Sequence, residues 1–329
     1  MPPISRRKFS ISAALGFGGL TYGMDLETYK RLGLHQPLMD KIGVMEDSIN
    51  GNQMGDISEY LNPSEDQQYH PCAEAYPNSV IPEGDVLHFA SWKSTKVFVD
   101  TVRDFWVYMP EGLQESLEYP LMVYQDGAMY MDPNGPVRVT KVLDSLIHAK
   151  ELPPTVALFV NPGVIREEDW IKQRSIEYDS VNNRYVDFLT SELLPFVESK
   201  MGFRFSKNPA ERMICGISSG GICAFNAAWH NPEAFGRVLS HCGSFVNLRG
   251  AHNYPYLVRT TPRKEIKTFL QSGARDLNTV VGNWPLANKL MAEALDFSGY
   301  SSKFIFGEGG HSLRHGGAIF SESLRWLNE

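Results

Sequence analysis

The sequence predicts an α/β fold in which a mostly parallel central sheet of about eight strands carries helices on both faces. Strand-like and helix-like segments alternate from Pro120 to the end of the chain, and such alternation is typical of a parallel sheet. The strand-like segments, for example Leu121–Tyr124, are apolar throughout, as expected of strands that are covered on both faces. A glycine-flanked turn, Gly216–Gly220, joins one of these apolar runs directly to a helix-like segment.

The bulk composition is that of a globular protein with one large domain and extensions. The chain has 329 residues, a formal net charge of -7 and 43% hydrophobic residues, which is enough for a sizeable core. The mild acidity provides no basic stripe for phosphates, so nucleic acid is not a predicted partner. The four cysteines, Cys72, Cys215, Cys223 and Cys242, include no C-x-x-C pair. We expect free buried thiols and no structural zinc site, although the spacing also allows a bridge.

Residues 1–24 are predicted to be a twin-arginine-type signal segment. Arg6 and Arg7 stand directly before an apolar run rich in glycine and alanine, Ile11–Met24, as in export signals. This run is shorter than the roughly 20 apolar residues of a membrane-spanning helix, so we expect no stable membrane insertion. The protein is therefore expected to be periplasmic or secreted. The alternative is a cytoplasmic protein with an irregular N-terminal arm.

Residues 25–84 are predicted to be an extension or linker that packs on the main domain, because they are polar and carry scattered Pro, Gly, Asn and Asp. The main domain is predicted over residues 85–329 and opens with antiparallel edge strands. Two short runs, Val86–Ala90 and Lys96–Val99, are β-prone. The partial alternation of Thr101–Met109 indicates a half-buried strand.

The remaining elements follow from apolar runs and from the helical spacing of apolar residues. Pro195 falls inside the longest predicted helix and predicts a kink there. The further strands are predicted at Leu121–Tyr124, Thr155–Val160, Arg212–Cys215, Arg237–His241, Ile266–Gln271 and Lys303–Phe306, and the helices at Val137–Lys150, Val181–Lys200, Gly221–Trp229, Trp284–Phe297 and Gly316–Leu327.

Ser218 is the candidate nucleophile, because it is the central serine of a Gly-x-Ser-x-Gly motif between a strand and a helix. This is the context of a nucleophile elbow, a turn so sharp that larger side chains two positions from the serine would clash. The alternative is a Gly/Ser turn without a catalytic role. An acyl-transfer oxyanion needs two backbone N–H donors. The candidates are Ser219, at the start of the helix, and Ala128, in the loop after Leu121–Tyr124.

Asp276 and His311 are the candidate acid and base of a catalytic triad. A serine hydroxyl needs a base within hydrogen-bond reach, and the base needs a group that orients it. Each residue follows its own predicted strand, and the chain order Ser, Asp, His is the order found in α/β-hydrolases. Glu308 is an alternative acid, whereas His241 has the wrong position in the chain order for the base.

No metal and no cofactor are predicted. His311 and His315 are four residues apart, which is the spacing of metal ligands on a helix. The glycine pairs on either side argue against a helix there, and the sequence has no H-E-x-x-H motif. A serine triad itself requires no cofactor.

Several short motifs together resemble one enzyme family. They are Tyr119-Pro120, Asp126-Gly127, Arg174–Tyr178, Gly216–Gly221, Asp276 and Gly309-Gly310-His311. Over residues 85–328 the chain resembles the putative-esterase branch of the α/β-hydrolases, with enterochelin esterases, esterase D-like enzymes, feruloyl esterases and mycolyltransferases, and is most similar to enterochelin esterase-like proteins. The resemblance implies the α/β-hydrolase fold, the triad Ser218, Asp276 and His311, and an oxyanion donor after Gly127. It also implies an ion pair between Arg174 and Glu177 near the site.

We therefore predict a serine carboxylic-ester hydrolase that works through an acyl-enzyme on a small-molecule or glycan ester. Tyr130 and Trp284 are candidate substrate contacts, and aromatic residues at strand ends favour a sugar ester or an aryl or feruloyl-type ester. The alternative is that these residues pack loops on the sheet. The alternative functions are acyl transfer with the same triad, a siderophore esterase of the enterochelin type, and a non-catalytic carbohydrate-binding protein. The sequence shows no cationic cluster for an anionic siderophore.

Overall fold

A computed structural model of the protein describes residues 64–165, 170–279 and 281–329. The predicted signal segment, residues 1–24, and most of the predicted extension, residues 25–84, lie outside the described residues. Within the described ranges, no helix has the length and apolar character that crossing a membrane requires.

The central sheet has eight strands in the order β1-β2-β4-β3-β5-β6-β7-β8. Strand β2 runs antiparallel to both of its neighbours, and β3 to β8 are parallel to one another. The prediction of a mostly parallel sheet with antiparallel strands at one edge is therefore confirmed. The strands are β1 Asp85–Lys93, β2 Val102–Met109, β3 Leu121–Gln125, β4 Val156–Val160, β5 Arg212–Ile217, β6 Arg237–His241, β7 Lys267–Gly273 and β8 Ser302–Gly307.

The order of the strands reverses between β3 and β5, which are neighbours in the sheet although β4 lies between them in the chain. In open α/β sheets, ligands bind at such a switch point, outside the carboxyl ends of the strands. The loop at Asp126 follows β3 and the turn at Ser218 follows β5. The topology thus brings the two segments of the predicted oxyanion site side by side.

Helices cover both faces of the sheet, as predicted, and each face has its own apolar cluster. The pleat of β3 separates them, because Val123 belongs to one cluster and its neighbours Met122 and Tyr124 belong to the other. The helices are α1 Gly127–Met131, α2 Val139–His148, α3 Trp170–Tyr178, α4 Arg184–Phe188, α5 Leu194–Met201, α6 Ser219–His230, α7 Tyr254–Thr260, α8 Trp284–Phe297, α9 Leu313–Ala318 and α10 Phe320–Asn328.

The helix predicted at Val181–Lys200 is interrupted by a π-helical turn, Leu189–Leu193, between α4 and α5. The interruption lies just before Pro195, which has no N–H to donate to the carbonyl of Ser191 in the preceding turn. The ammonium of Lys96 donates to that carbonyl instead, at 3.1 Å. The expected irregularity at the proline is therefore confirmed, and it takes the form of a π turn.

The strand predicted at Lys96–Val99 is wrong. The chain here wraps around the carboxylate of Glu192, which accepts hydrogen bonds from the backbone N–H groups of Thr95 at 2.8 Å and Val97 at 2.5 Å. The hydroxyl of Ser94 also donates to this carboxylate. These backbone donors are satisfied by a side chain, so they need no neighbouring strand.

The helix predicted at Gly316–Leu327 is two helices, α9 and α10, and His315 lies within α9. As expected, His311 and His315 do not share a helix, because α9 begins at Leu313, although the glycines do not prevent a helix at His315 itself. A Cβ on Gly316 would lie 2.7 Å from the ring of His241, and a Cβ on Gly317 would lie 2.0 Å from the carbonyl oxygen of Pro136. These glycines serve the close packing of α9 against its neighbours.

Candidate active site

Ser218 lies on the sharp turn between β5 and α6, at φ 59° and ψ −121°. A positive φ is uncommon in a residue other than glycine and is a strained conformation that clusters at functional sites. A Cβ on Gly216 would lie 2.4 Å from the backbone of Gly220, and a Cβ on Gly220 would lie 3.1 Å from the carboxylate of Asp126. The glycines of the motif therefore have the steric role that the sequence predicted.

Backbone hydrogen bonds hold this strained turn in place. The N–H of Ser218 donates to the carbonyl of His241 at 2.9 Å, and the carbonyl of Ser218 accepts from the N–H groups of Gly221, Ile222 and Ser244. Strain of this kind persists only where the surrounding structure over-determines the conformation. The carbonyl and amide of the serine are thus fixed, and its hydroxyl is the part left to act.

His311 and Asp276 form a buried hydrogen-bonded pair, with 2.5 Å between Nδ1 of the imidazole and Oδ1 of the carboxylate. The side chains are 8% and 0% exposed. Asp276 is itself held by the backbone N–H of Leu277, which donates at 2.7 Å, and by the hydroxyl of Ser272, which donates at 3.2 Å. An imidazole that donates its Nδ1 proton to a carboxylate presents Nε2 as the free base.

A chain of contacts connects this pair to Ser218. The Ser218 hydroxyl lies 3.3 Å from the hydroxyl of Ser244, which accepts a hydrogen bond from the indole N–H of Trp284 at 3.2 Å. The Trp284 ring packs edge-on against the His311 ring, with 5.8 Å between the centroids. The structure therefore places the predicted Trp284 at the site, buried as a wall beside His311.

The backbone groups predicted for the oxyanion site lie on two adjacent segments. Ser219 begins α6, and the first amides of a helix have no partner within the helix. The Ala128 amide donates to the side-chain oxygen of Asn161 at 3.1 Å. An incoming oxyanion would have to replace that contact.

An ion pair ties the Asp126 loop to the elbow. Asp126 has φ 53° and accepts two hydrogen bonds from the guanidinium of Arg174, at 2.8 and 2.7 Å. The same guanidinium lies 3.5 Å from the carbonyl of Ile217, directly before the candidate nucleophile. A two-bond Arg–carboxylate contact fixes geometry as well as charge.

The expected ion pair between Arg174 and Glu177 is wrong. Glu177 turns into the interior, where its carboxylate accepts two hydrogen bonds from Arg103, at 2.7 and 3.0 Å, and both side chains are 0% exposed. The N–H of Gly163 donates to the same carboxylate. Arg174 is left to pair with Asp126, a residue that sequence reasoning assigned only to the oxyanion loop.

Tyr130 does not line the surface of the site, so the substrate contact predicted for it is wrong. Its side chain is 0% exposed, and its hydroxyl lies 2.9 Å from Nδ1 of His241. Burial lowers the pKa of His241 to about 3, with a smaller effect of nearby His315. His241 is therefore a neutral interior partner of Tyr130 rather than a base facing the site.

The alternative acid and the alternative metal site do not replace the His311–Asp276 pair. Glu308 is exposed, whereas the buried carboxylate at His311 is that of Asp276. Cys242, Asp276 and His311 have potential ligand atoms within 4.8 Å of one another. Burial and the charge of Asp276 raise the pKa of the Cys242 thiol, which disfavours the thiolate that a metal would bind. The absence of a metal remains a prediction.

The four cysteines are buried and free in the structure, as predicted. Cys215 lies in β5, Cys223 in α6, and Cys242 directly after β6. Burial raises the pKa of each of these three thiols, which makes them poor nucleophiles.

Comparison with known proteins gives a consistent result. Residues 99–289 match the family described as Putative esterase. The iron(III) enterobactin esterase of Dickeya dadantii is 28% identical over 263 residues, which cover 75% of this chain and 56% of that protein. The chain thus spans little more than half the length of this curated relative.

Solved structures share the fold. The ferric enterobactin esterase of Salmonella typhimurium aligns with a TM-score of 0.63 and 24% identity, over 78% of this chain and 61% of that one. The ferulic acid esterase of Anaeromyces mucronatus, solved with ferulic acid, aligns with a TM-score of 0.59 and 13% identity, over 78% of this chain and 95% of that one. The α/β-hydrolase fold predicted from the sequence is confirmed. The family match covers more than half of the residues of this chain, and the chain therefore belongs to the putative esterase family.

Proposed function

We propose that the protein is a serine carboxylic-ester hydrolase with Ser218 as nucleophile, His311 as base and Asp276 as the residue that orients the base. The observation that carries this proposal is the buried His311–Asp276 hydrogen bond. Trp284 packs against His311 and donates to Ser244, whose hydroxyl lies next to that of Ser218. A buried carboxylate on Nδ1 keeps the imidazole in the tautomer that can accept a proton at Nε2.

The reaction has two halves. His311 Nε2 takes the proton of the Ser218 hydroxyl as the oxygen attacks the ester carbonyl, and Asp276 stabilises the imidazolium. The amides of Ser219 and Ala128 donate to the oxyanion once the ester oxygen has displaced Asn161 from the Ala128 amide. The alcohol leaves with the proton from His311. A water molecule activated by His311 then releases the acyl group, and no cofactor takes part.

The Asp126–Arg174 pair supports the second oxyanion donor. It fixes the loop after β3 against the elbow, so that the Ala128 amide is positioned before substrate arrives. The ester oxygen still has to replace Asn161, but the amide itself need not move during the reaction.

An aryl or feruloyl-type ester, or a sugar ester, is the proposed substrate class. Trp284 is only 4% exposed, but its ring lies beside His311, where its edge could border a flat acyl group. The fold similarity extends over 95% of a ferulic acid esterase. A siderophore ester is the second candidate, because curated relatives include the iron(III) enterobactin esterase of Dickeya dadantii.

Hydrolysis of p-nitrophenyl acetate by the wild type and by Ser218→Ala tests the proposed activity. We expect turnover by the wild type and a loss of about a million-fold in kcat with Ser218→Ala, as in other serine triads. The matched control is Ser199→Ala, which removes an exposed hydroxyl on α5 and spares the nucleophile and the loop that carries His311. Comparable turnover by wild type and Ser218→Ala would refute the proposed nucleophile.

A substrate panel then separates the candidates. Methyl ferulate, feruloylated and acetylated sugars, and enterobactin with and without iron are compared by kcat/KM. Addition of an alcohol acceptor with product analysis distinguishes hydrolysis from acyl transfer. A preference for enterobactin over every aryl and sugar ester would replace the first substrate class by the second.

A further inference from the structure

A short segment before the main domain packs on the loop that carries His311. We call residues 66–76 the strap and residues 307–312 the histidine loop. The strap lies outside residues 99–289, the part of the chain that matches the esterase family. It includes the end of one helical turn, Ser64–Gln68, and a second helical turn at Ala73–Ala75.

Asp66 binds the histidine loop on both sides of His311. One carboxylate oxygen accepts a hydrogen bond from the backbone N–H of Gly310 at 2.7 Å, and the other accepts from the hydroxyl of Ser312. The residue is 0% exposed. Buried carboxylates are rare unless their oxygens are satisfied, and here both oxygens take their partners from the residues that flank His311.

Tyr69 and Cys72 extend this contact along the loop and into α9. The hydroxyl of Tyr69 accepts from the backbone N–H of Glu308 at 3.1 Å, and its ring stacks on His315 with 4.3 Å between centroids. The N–H of Cys72 donates to the carbonyl of Gly317 at 3.1 Å. The strap therefore holds the backbone before His311 and the helix that follows it.

The glycines of the histidine loop fit the strap. A Cβ on Gly309 would lie 2.8 Å from the Asp66 carboxylate, and a Cβ on Gly307 would lie 2.6 Å from the Tyr69 hydroxyl. On its other side, the loop meets the segment that leads to Asp276, where a Cβ on Gly273 would lie 2.1 Å from the Gly309 carbonyl. The histidine loop is thus packed between the strap on one side and the segment that leads to Asp276 on the other.

We propose that Asp66 is a positioning residue, which holds the histidine loop so that His311 meets Asp276 and reaches Ser218. This proposal rests on the proposed function. Without the carboxylate, the N–H of Gly310 and the hydroxyl of Ser312 lose their acceptor, and the loop is free to shift. A displacement of 1 Å at a reacting group costs about 100-fold in rate.

The test compares Asp66→Ala with Asp66→Asn in the full-length protein. Asp66→Ala removes both hydrogen bonds, and we expect kcat to fall by about 10- to 100-fold with KM changed by less than about threefold. Asp66→Asn keeps one oxygen for Gly310 and offers an N–H to the Ser312 hydroxyl, so we expect it to retain most of the kcat. The matched control is Glu74→Gln, which weakens a strap contact with Arg325 away from the histidine loop.

A second readout reports the position of His311 directly. The proton in the short His311–Asp276 hydrogen bond gives a far-downfield resonance in proton NMR, which we expect to be present in the wild type and Asp66→Asn and broadened or absent in Asp66→Ala. The spectra are recorded well below each variant's Tm. If the strap only stabilised the fold, Asp66→Ala would lower the Tm but would leave kcat and this resonance unchanged below the Tm.

The outcomes separate this proposal from the proposed function. A wild type with no esterase activity contradicts both, whereas an active wild type with an equally active Asp66→Ala contradicts only the role of Asp66. An Asp66→Asn variant as impaired as Asp66→Ala contradicts the hydrogen-bond account. If Asp66→Ala does not fold, Ser312→Ala removes one of the two hydrogen bonds that Asp66 makes with the histidine loop, and a wild-type kcat in both Ser312→Ala and Glu74→Gln would overturn the proposal.

Discussion

His311 is held from three directions by residues that come from distant parts of the chain. Asp276 fixes its Nδ1 atom, Trp284 packs against its ring, and Asp66 accepts hydrogen bonds from the Gly310 amide before it and from the Ser312 hydroxyl after it. In the proposed mechanism, an imidazole placed in this way would lose little further entropy on taking the proton from Ser218. This accords with the general observation that catalytic groups are most effective when their supporting residues lock their geometry.

Replacement of Asp276 tests the orienting role at the residue scale. Asp276→Asn preserves the shape of the side chain but presents an N–H to Nδ1, which stabilises the wrong tautomer of His311. We expect kcat to fall by about 10⁴-fold, measured with p-nitrophenyl acetate. Ser272→Ala is the control, because it removes only one hydrogen bond to Asp276 and should cost less than about tenfold. Equal activities of Asp276→Asn and Ser272→Ala would contradict the assignment.

Ser218, Asp276 and His311 could be proposed from the sequence because each stands in a local signal, a motif or a strand end. Tyr130 shares such a position, but its side chain turns inward to His241, and strand-end position alone does not give side-chain direction. Asp66 lies 244 positions from Gly310 in the chain, in a polar segment without periodicity. No local pattern in the sequence could have indicated that contact.

At the scale of elements, the π turn between α4 and α5 is coupled to the loop before β2. Pro195 removes a backbone donor, and the irregular turn that results carries Glu192 towards residues 94–97. The sequence indicated the irregularity, because proline acts locally. It could not indicate that Lys96–Val99 would wrap around a carboxylate, since β-propensity takes no account of an acceptor supplied from a distant helix.

Glu192 makes the stability of this junction pH-dependent. Burial by itself raises the pKa of Glu192, but the backbone N–H groups of Val97 and Thr95 outweigh it and lower the pKa below the ordinary value of 4.5. Because the folded state binds the proton more weakly than the unfolded state, the stabilisation is present above pH 4.5 and is lost as the pH falls below it. We expect Glu192→Gln to lower Tm at neutral pH and to flatten the fall of Tm in acid. A parallel fall in both proteins would contradict this role.

At the scale of the whole molecule, one sheet brings the site together at a single edge. The elbow follows β5, the loop proposed for the oxyanion site follows β3, and the proposed acid Asp276 and base His311 follow β7 and β8. The sequence predicted the layers and the parallel core, because alternation and continuous apolar runs are strong signals. It predicted that the extension packs on the main domain, as residues 66–76 do, but it could not predict which residues make the contact, since their partners come from the far end of the chain.

The N-terminal segment gives a prediction about the cellular location of the whole protein. We propose that residues 1–24 direct export through the paired arginines. Replacement of Arg6 and Arg7 by lysine should leave the protein in the cytoplasm, as measured by fractionation and immunoblotting. Replacement of Lys8 by arginine serves as the control, and export of both variants to the same extent as the wild type would contradict the signal.

The central claim is that Ser218 is the nucleophile activated by His311 and Asp276. The most direct measurement is labelling of the folded protein with a fluorophosphonate, followed by mass spectrometry of the modified peptide. The account predicts one adduct on Ser218, a rate of labelling that falls by orders of magnitude in His311→Ala, and no adduct in Ser218→Ala. An adduct on another residue, or undiminished labelling of Ser218→Ala, would contradict it.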